Sequence, residues 1–268
     1  MRLLSPSIKS NKMSEIQEYI EKSKHILHAV SLQETAMEEA ANLFAATILS
    51  GRMVHVFGSG HSRIMVEEMW PRYGSFPGFN PIVELSLTFH NLVVGANGQR
   101  QAMFLENVSG LAERILRNYQ LSDKDSALVI SSSGTNIVPV EMAELFQKNG
   151  IKVVSIITKA HSEASKSKRK DGKKLADFSD IILDTGAPIG DAMIQIENLE
   201  TPVSPGSTVG GVVIINSIKA AVASILTKAG QPPTVLSAAN KVGEQKAIDL
   251  FEKAYDEHAS RLSKLYDF

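Results

Sequence analysis

The 268-residue sequence contains no cysteine, which excludes disulfides, thiolate metal ligands and thiolate nucleophiles. It has one tryptophan, Trp70, and no interleaving of aromatic with basic residues, so a stacking platform for single-stranded nucleic acid is not expected. Its net charge is −1, and no global field favours nucleic acid or an anionic membrane. No apolar run reads as long enough to span a bilayer, and Met1 to Lys12 holds no long apolar segment of a secretory signal. No His-x-x-x-His or similar ligand spacing occurs, so neither a metal nor a cofactor is expected. The composition left is that of a soluble cytoplasmic protein, with 43% hydrophobic residues to build a sizeable core.

The most informative stretch runs from Ser126 to Glu141. Ala127 to Ile130 is an apolar run of strand length. A polar turn follows, Ser131-Ser132-Ser133-Gly134-Thr135-Asn136. Apolar residues then recur at Ile137, Val140, Ala143 and Leu145-Phe146, a helical spacing that closes at Asn149-Gly150. Pro139 falls near the helix start, where a missing N–H costs little. Unpaired N–H groups and a positive dipole end make a helix start attractive to anions. Serine hydroxyls and a glycine turn it into a cradle suited to phosphate, or into an ordinary capping turn. It lacks the lysine and the glycine spacing of a Walker loop.

The rest of the chain alternates helices and strands. Ser14 to Ser50 is helical with a break near Ser31, Ser14 as cap and Gly51 as stop. Met53 to Phe57 is a strand, followed by a second small-residue turn, Gly58-Ser59-Gly60-His61-Ser62, and a helix over Arg63 to Met69. Pro71 to Pro81 reads as loop, Leu92 to Gly95 as strand, Ala96 to Gln101 as turn, and Phe104 to Tyr119 as helix. Ile151 to Ile157 is a β-branched strand suited to a parallel sheet. Residues 161–176 read as a solvated basic loop. Asp180 to Asp184 is the last expected strand. Ser207 to Ala229 is a long apolar helix fit for burial or an oligomer interface, and Ala238 to Leu265 an amphipathic closing helix. This order predicts an α/β fold, a three-layer αβα sandwich with a mainly parallel sheet and right-handed crossovers. Ligands in such sheets sit beyond the carboxyl ends of the strands, where both serine-glycine turns fall.

Gly58-Ser-Gly-His-Ser62 and Ser131-Ser-Ser-Gly-Thr-Asn136 together resemble the two turns of the sugar isomerase (SIS) domain family. The resemblance covers about residues 35–230. Residues 1–34 then form a tail and helical arm, and 231–268 a C-terminal helical arm. The chain as a whole looks closest to the uncharacterised UPF0309 proteins of that family. Pro205-Gly206-Ser207-Thr208 resembles the Gly-Ser-Thr of N-acetylmuramic acid 6-phosphate etherases. The resemblance implies a flavodoxin-like SIS fold and a phosphorylated sugar as partner. It carries phosphate contact onto Gly60, Ser62, Ser131, Ser133 and Gly134. Asn136 stands where the family has Ser or Thr, with Thr135 as an alternative.

Aldose–ketose isomerisation needs a base near neutral pH and an acid. Glu67 and Glu68 resemble the Glu-Glu pair that follows the first turn in phosphoheptose isomerases, and Glu67 is the expected base. His61, inside the first turn, is the expected second catalytic group. Glu68, His90, Ser207 and Thr208 are further substrate-binding candidates. His55, in mid-strand, reads as a satisfied core histidine. The last helix of the domain lacks the histidine that phosphoheptose isomerases carry there. A phosphosugar isomerase is therefore the first expectation. A non-catalytic sugar-phosphate regulator and an etherase-type lyase are the alternatives. The apolar helix and the terminal arms suggest a homodimer or homotetramer.

Overall fold

Ser14 starts the first helix as its sequence suggests: its hydroxyl accepts a hydrogen bond from the Gln17 N–H, and α1 runs Glu15–Ser31. The computed structural model describes residues 13–88 and 99–267. After the expected break comes α2, Glu34–Leu49. Then follow β1 (Val54–Gly58), a 3-10 turn at Gly60–Ser62, α3 (Arg63–Met69), β2 (Phe79–Ile82) and α4 (Leu85–Thr88). Beyond the gap lie α5 (Gln99–Leu105), α6 (Leu111–Leu116), β3 (Ser126–Ile130), α7 (Ile137–Lys148), β4 (Lys152–Ile157) and α8 (Lys159–Ala164). The chain ends with β5 (Ile181–Asp184), β6 (Ala192–Ile194), β7 (Val203–Pro205), α9 (Ser207–Lys228), α10 (Ala239–Val242) and α11 (Glu244–Ser263).

Five strands form one parallel sheet in the order β2-β1-β3-β4-β5. The expected three-layer α/β architecture is therefore the one observed. Alternate residues serve opposite faces. Val54, Val56, Leu128, Ile130, Val154, Ile156 and Leu183 pack against α2, α3 and α9. Phe57, Ala127, Val129, Val153 and Ile157 pack with residues of α6 and α7. The two terminal helices lie against the first of these faces: Val30 of α1 and Ala254 of α11 are fully enclosed.

Several elements differ from the sequence reading, each for a local reason. Phe79–Ile82 is a strand although it contains Pro81, because it is the sheet edge among the described residues, where a missing N–H breaks no ladder. Gln99 to Gln101, the described end of the expected turn, is helical and opens α5. The helix expected over Phe104 to Tyr119 is interrupted at Gly110, which adopts φ +85°. The closing helix is likewise divided at Gly243. A short antiparallel hairpin, β6–β7, follows the strand read as the last. The basic segment 161–176 is not free in solvent: Lys168 N–H donates to Thr135 C=O and Leu175 N–H to Gly134 C=O, so it straps the second serine turn. The strand expected at Leu92 to Gly95 lies outside the described residues.

The 22-residue α9 is long and apolar enough to cross a membrane by length and composition, which corrects the sequence reading. One of its faces is taken up inside the chain. Gly210 approaches the Thr185 carbonyl so closely that an added Cβ would lie 1.9 Å from its oxygen, and one on Gly211 would lie 2.2 Å from Met65 Sδ. Lys219 is buried on the same helix, its Nζ donating to the Glu68 carbonyl at 2.7 Å and to Ser75 Oγ at 3.1 Å.

His55 is the satisfied core group that its mid-strand position suggests. Its Nδ1 accepts from Asn80 Nδ2 at 3.0 Å and its Nε2 meets Asp125 Oδ2 at 3.2 Å. Arg52 closes the network with two bonds to Asp125, at 2.7 and 2.8 Å. Burial opposes charge on Asp125, yet the bonds from His55, Arg52 and the Ser122 N–H hold its carboxyl below the usual range. A depressed folded value means stability that is present above the unfolded value of about 3.9 and lost as pH falls through the folded one. Asp125→Ala strands the buried His55 and takes from the half-buried Arg52 its carboxylate partner, and is expected to cost about 3–5 kcal/mol in urea unfolding at neutral pH. The difference should narrow in acid; a cost that does not change with pH would contradict the ionic account.

Candidate functional site

The chain leaves β1 through α3, on one face of the sheet, and leaves β3 through α7, on the other. The strand order thus reverses between β1 and β3, and a crevice opens beyond their carboxyl ends. Both serine-glycine turns end there. They line one cavity of about 500 Å³.

In the first turn Gly58 makes the bend possible, since a Cβ there would meet the Ser62 carbonyl at 2.8 Å. The Ser62 hydroxyl lines the cavity and has no hydrogen-bond partner among the described residues. In the second turn Gly134 takes φ +61°, which bends the backbone between β3 and α7. Ser131 Oγ accepts from Gly134 N–H at 3.2 Å, and Ser133 Oγ accepts from Thr135 Oγ1 at 3.0 Å. The Ser132 and Ser133 N–H groups meet no protein acceptor among the described residues. Asn136 occupies the capping position of α7 without a side-chain cap, and its Oδ1 instead accepts from Lys168 Nζ. In the first turn of α7 the Val138 N–H donates to the Glu106 carbonyl at 2.9 Å, so the unpartnered N–H groups are those of the turn before the helix. Beneath it a hydroxyl chain crosses three strands: Ser132 Oγ to Thr158 Oγ1 at 3.0 Å, then Thr158 Oγ1 to Thr185 Oγ1 at 2.7 Å.

Three titratable residues that sequence reasoning missed also line the cavity: Glu106, His161 and Asp191. Glu106 follows α5 and is fixed by its backbone, whose carbonyl accepts from Val138 N–H at 2.9 Å. Its carboxylate accepts from Ser59 Oγ at 2.8 Å. Desolvation raises its pKa above the usual carboxylate range, and bonds from Ser59 and Asn136 together with the charge of Lys168 only partly offset this. His161 lies in α8, just past the carboxyl end of β4. Asp191, with φ +70°, accepts from the N–H groups of Gly206 (3.0 Å) and Ser207 (2.7 Å) and from Ser207 Oγ (2.8 Å). An internal carboxylate thus already holds the start of α9, and the Ser207 hydroxyl is committed to it.

Of the residues singled out from sequence, Gly60, His61, Ser62, Ser131, Ser133, Asn136, Ser207 and Thr208 line this cavity. Gly134 and Thr135 shape the turn from behind. Glu67 and Glu68 do not reach it. Five residues after Ser62 on a helix is a rotation of about 140°, which turns Glu67 outward. It lines a separate groove of about 800 Å³ with Tyr73, Phe251 and Tyr255, and lies 3.9 Å from Arg63. Glu68 accepts from Asn216 Nδ2 at 2.8 Å and pairs with Arg72, which ties α3 to α9. Glu67, the expected base, thus lies outside the serine cavity of this chain, and the carboxylates that line the cavity are those of Glu106 and Asp191. His90 lies outside the described residues.

Comparisons with known proteins bear on the family and the fold. The family model described as the SIS domain matches residues 18–158. A UPF0309 protein of Halalkalibacterium halodurans is 32% identical over 247 residues, 91% of this chain and 98% of the relative. A UPF0309 protein of Thermoanaerobacter pseudethanolicus is 32% identical over 246 residues, 90% and 95% of the two chains. Among solved structures, a phosphoheptose isomerase from Francisella tularensis superposes with a TM-score of 0.51 at 14% identity, over 78% of this chain and 98% of its own. That likeness is one of fold.

The raised pKa of Glu106 has a thermodynamic consequence. A carboxylate whose folded pKa lies above its unfolded value, about 4.3, favours folding below that value and loses this contribution as pH rises through the folded one. Glu106→Gln removes the buried charge, so it should raise the melting temperature at neutral pH relative to the parent and leave it nearly unchanged well below pH 4. Equal melting at both pH values would show that Glu106 is not desolvated.

Proposed function

This chain belongs to the SIS domain family, and on that premise we propose that it binds a phosphorylated sugar in the switch-point cavity and isomerises it between aldose and ketose. The observation that carries the reading is Glu106. Its carboxylate stands inside the cavity, reached by Ser59 from the first turn and Asn136 from the second, with its pKa raised by desolvation. A base for proton abstraction beside a carbonyl works best when its pKa approaches the operating pH, and burial moves a carboxylate in that direction.

Phosphate binds at the start of α7, where the Ser132 and Ser133 N–H groups and the Ser131 and Ser133 hydroxyls converge. Ser62 contributes from the first turn. The cavity volume falls within the range of small-molecule sites. Glu106 takes the proton from the carbon next to the carbonyl. The C–H electron pair forms the enediol double bond, and the carbonyl pair moves onto oxygen. Glu106 then returns the proton to the neighbouring carbon, and the hydroxyl proton shifts between the two oxygens. Atoms and charge balance without a further reactant.

A thermal-shift screen of sugar phosphates, followed by solvent deuterium exchange into those that stabilise, tests this. Ser133→Ala should weaken binding by about 1.5–3 kcal/mol in calorimetry. Glu106→Gln should keep binding and lose exchange about 10²–10⁴-fold, while Glu67→Gln exchanges normally. A wild-type protein that binds sugar phosphates and never exchanges their protons would be a sensor instead.

A further inference from the structure

The proposed chemistry needs a donor for the oxygen on which charge develops, and α9 offers no histidine for it. The opposite end of the cavity does. Glu106 lies over β1 and β3, held from the two serine turns, whereas His161 sits over β4 and β5, beside Thr185, Gly190 and Asp191. Adjacent strands are about 4.8 Å apart, so a ligand anchored at the end of β3 reaches the end of β4 within a few bonds.

The tautomer of His161 follows from one contact. Its Nδ1 lies 2.9 Å from the backbone nitrogen of Gly190, which can only donate. Nδ1 therefore carries a lone pair, and the ring proton is on Nε2. That Nε2–H has no acceptor among the described residues. An imidazolium would set Nδ1–H against the Gly190 N–H, donor against donor. The Gly190 N–H is itself held in place: Asp191 N–H donates to the Pro188 carbonyl at 3.0 Å, and the Asp191 side chain anchors this loop to the start of α9.

We infer that His161, fixed by Gly190 as the neutral Nε2–H imidazole, is the catalytic electrophile of this site: it donates a hydrogen bond to the sugar carbonyl oxygen and holds the enediolate while Glu106 carries the carbon proton. The inference rests on the proposed isomerase reading. It assigns no proton transfer to His161, since a neutral imidazole polarises the oxygen without giving up its hydrogen.

Two measurements test it. Long-range ¹H–¹⁵N correlation on the ¹⁵N-labelled full chain at neutral pH, with His161 identified by its loss in His161→Phe, should show a neutral ring protonated on Nε2. In the exchange assay His161→Phe should lower turnover about 10²–10³-fold with sugar-phosphate affinity unchanged, and His161→Gln, whose amide can donate, should recover part of it. A ring protonated on Nδ1 or on both nitrogens overturns the inference, as does a His161→Phe protein that exchanges like the wild type. A wild type that exchanges no sugar phosphate removes the isomerase reading and this role with it, a result separable from the other two.

Discussion

A parallel sheet whose strand order reverses cannot cover the point of reversal with its own crossovers. The rest of this structure depends on that constraint. The helix after β1 packs on one face and the helix after β3 on the other, so neither closes the gap between the two carboxyl ends. The Ser132 and Ser133 N–H groups, in the turn before α7, lie at that gap without protein partners among the described residues. Polar groups left in a crevice need water or a ligand. Three serines, a left-handed glycine and a half-desolvated glutamate meet there because the topology brings the ends of β1 and β3 together.

The neighbouring helix start is treated differently. Asp191 satisfies the first N–H groups of α9, and close glycine contacts seat that helix against Thr185 and Met65. One helix start is thus closed by an internal anion, whereas the turn before α7 keeps two N–H groups without protein partners among the described residues. The cavity sets that turn beside a carboxylate whose charge is disfavoured by burial. A stable core offers no reason to keep such a carboxylate, since it weakens folding at neutral pH. A site that needs a base near neutrality does.

Much of the frame was legible in the sequence, because strand ends and turns have local chemistry. Both serine turns, α3, α7 and β4 follow from apolar runs punctuated by glycine and hydroxyl residues. Pro81 hid a strand, since only its edge position makes proline tolerable there. Glu106 was illegible for a different reason: it belongs to no motif, and a hydrogen bond from Val138, 32 residues further on, sets its place. Glu67 lies in the other groove because its offset from Ser62 keeps it near the rim without fixing which way its side chain points. His161 did carry a signal. It follows Thr158 directly beyond a strand's carboxyl end, the same rim as the serine turns, but its basic surroundings read as solvated loop. Asp191 owes its role to a left-handed turn just before β6, a strand that the sequence reading did not contain.

The most direct measurement is a crystal structure of the protein soaked with a hexose 6-phosphate that stabilises it in solution. The account predicts phosphate density on the Ser132 and Ser133 N–H groups and the Ser131–Ser133 hydroxyls, with the sugar extending toward Glu106. Phosphate bound instead in the groove of Glu67, Tyr73 and Tyr255, with the serine cradle holding only water, would contradict it.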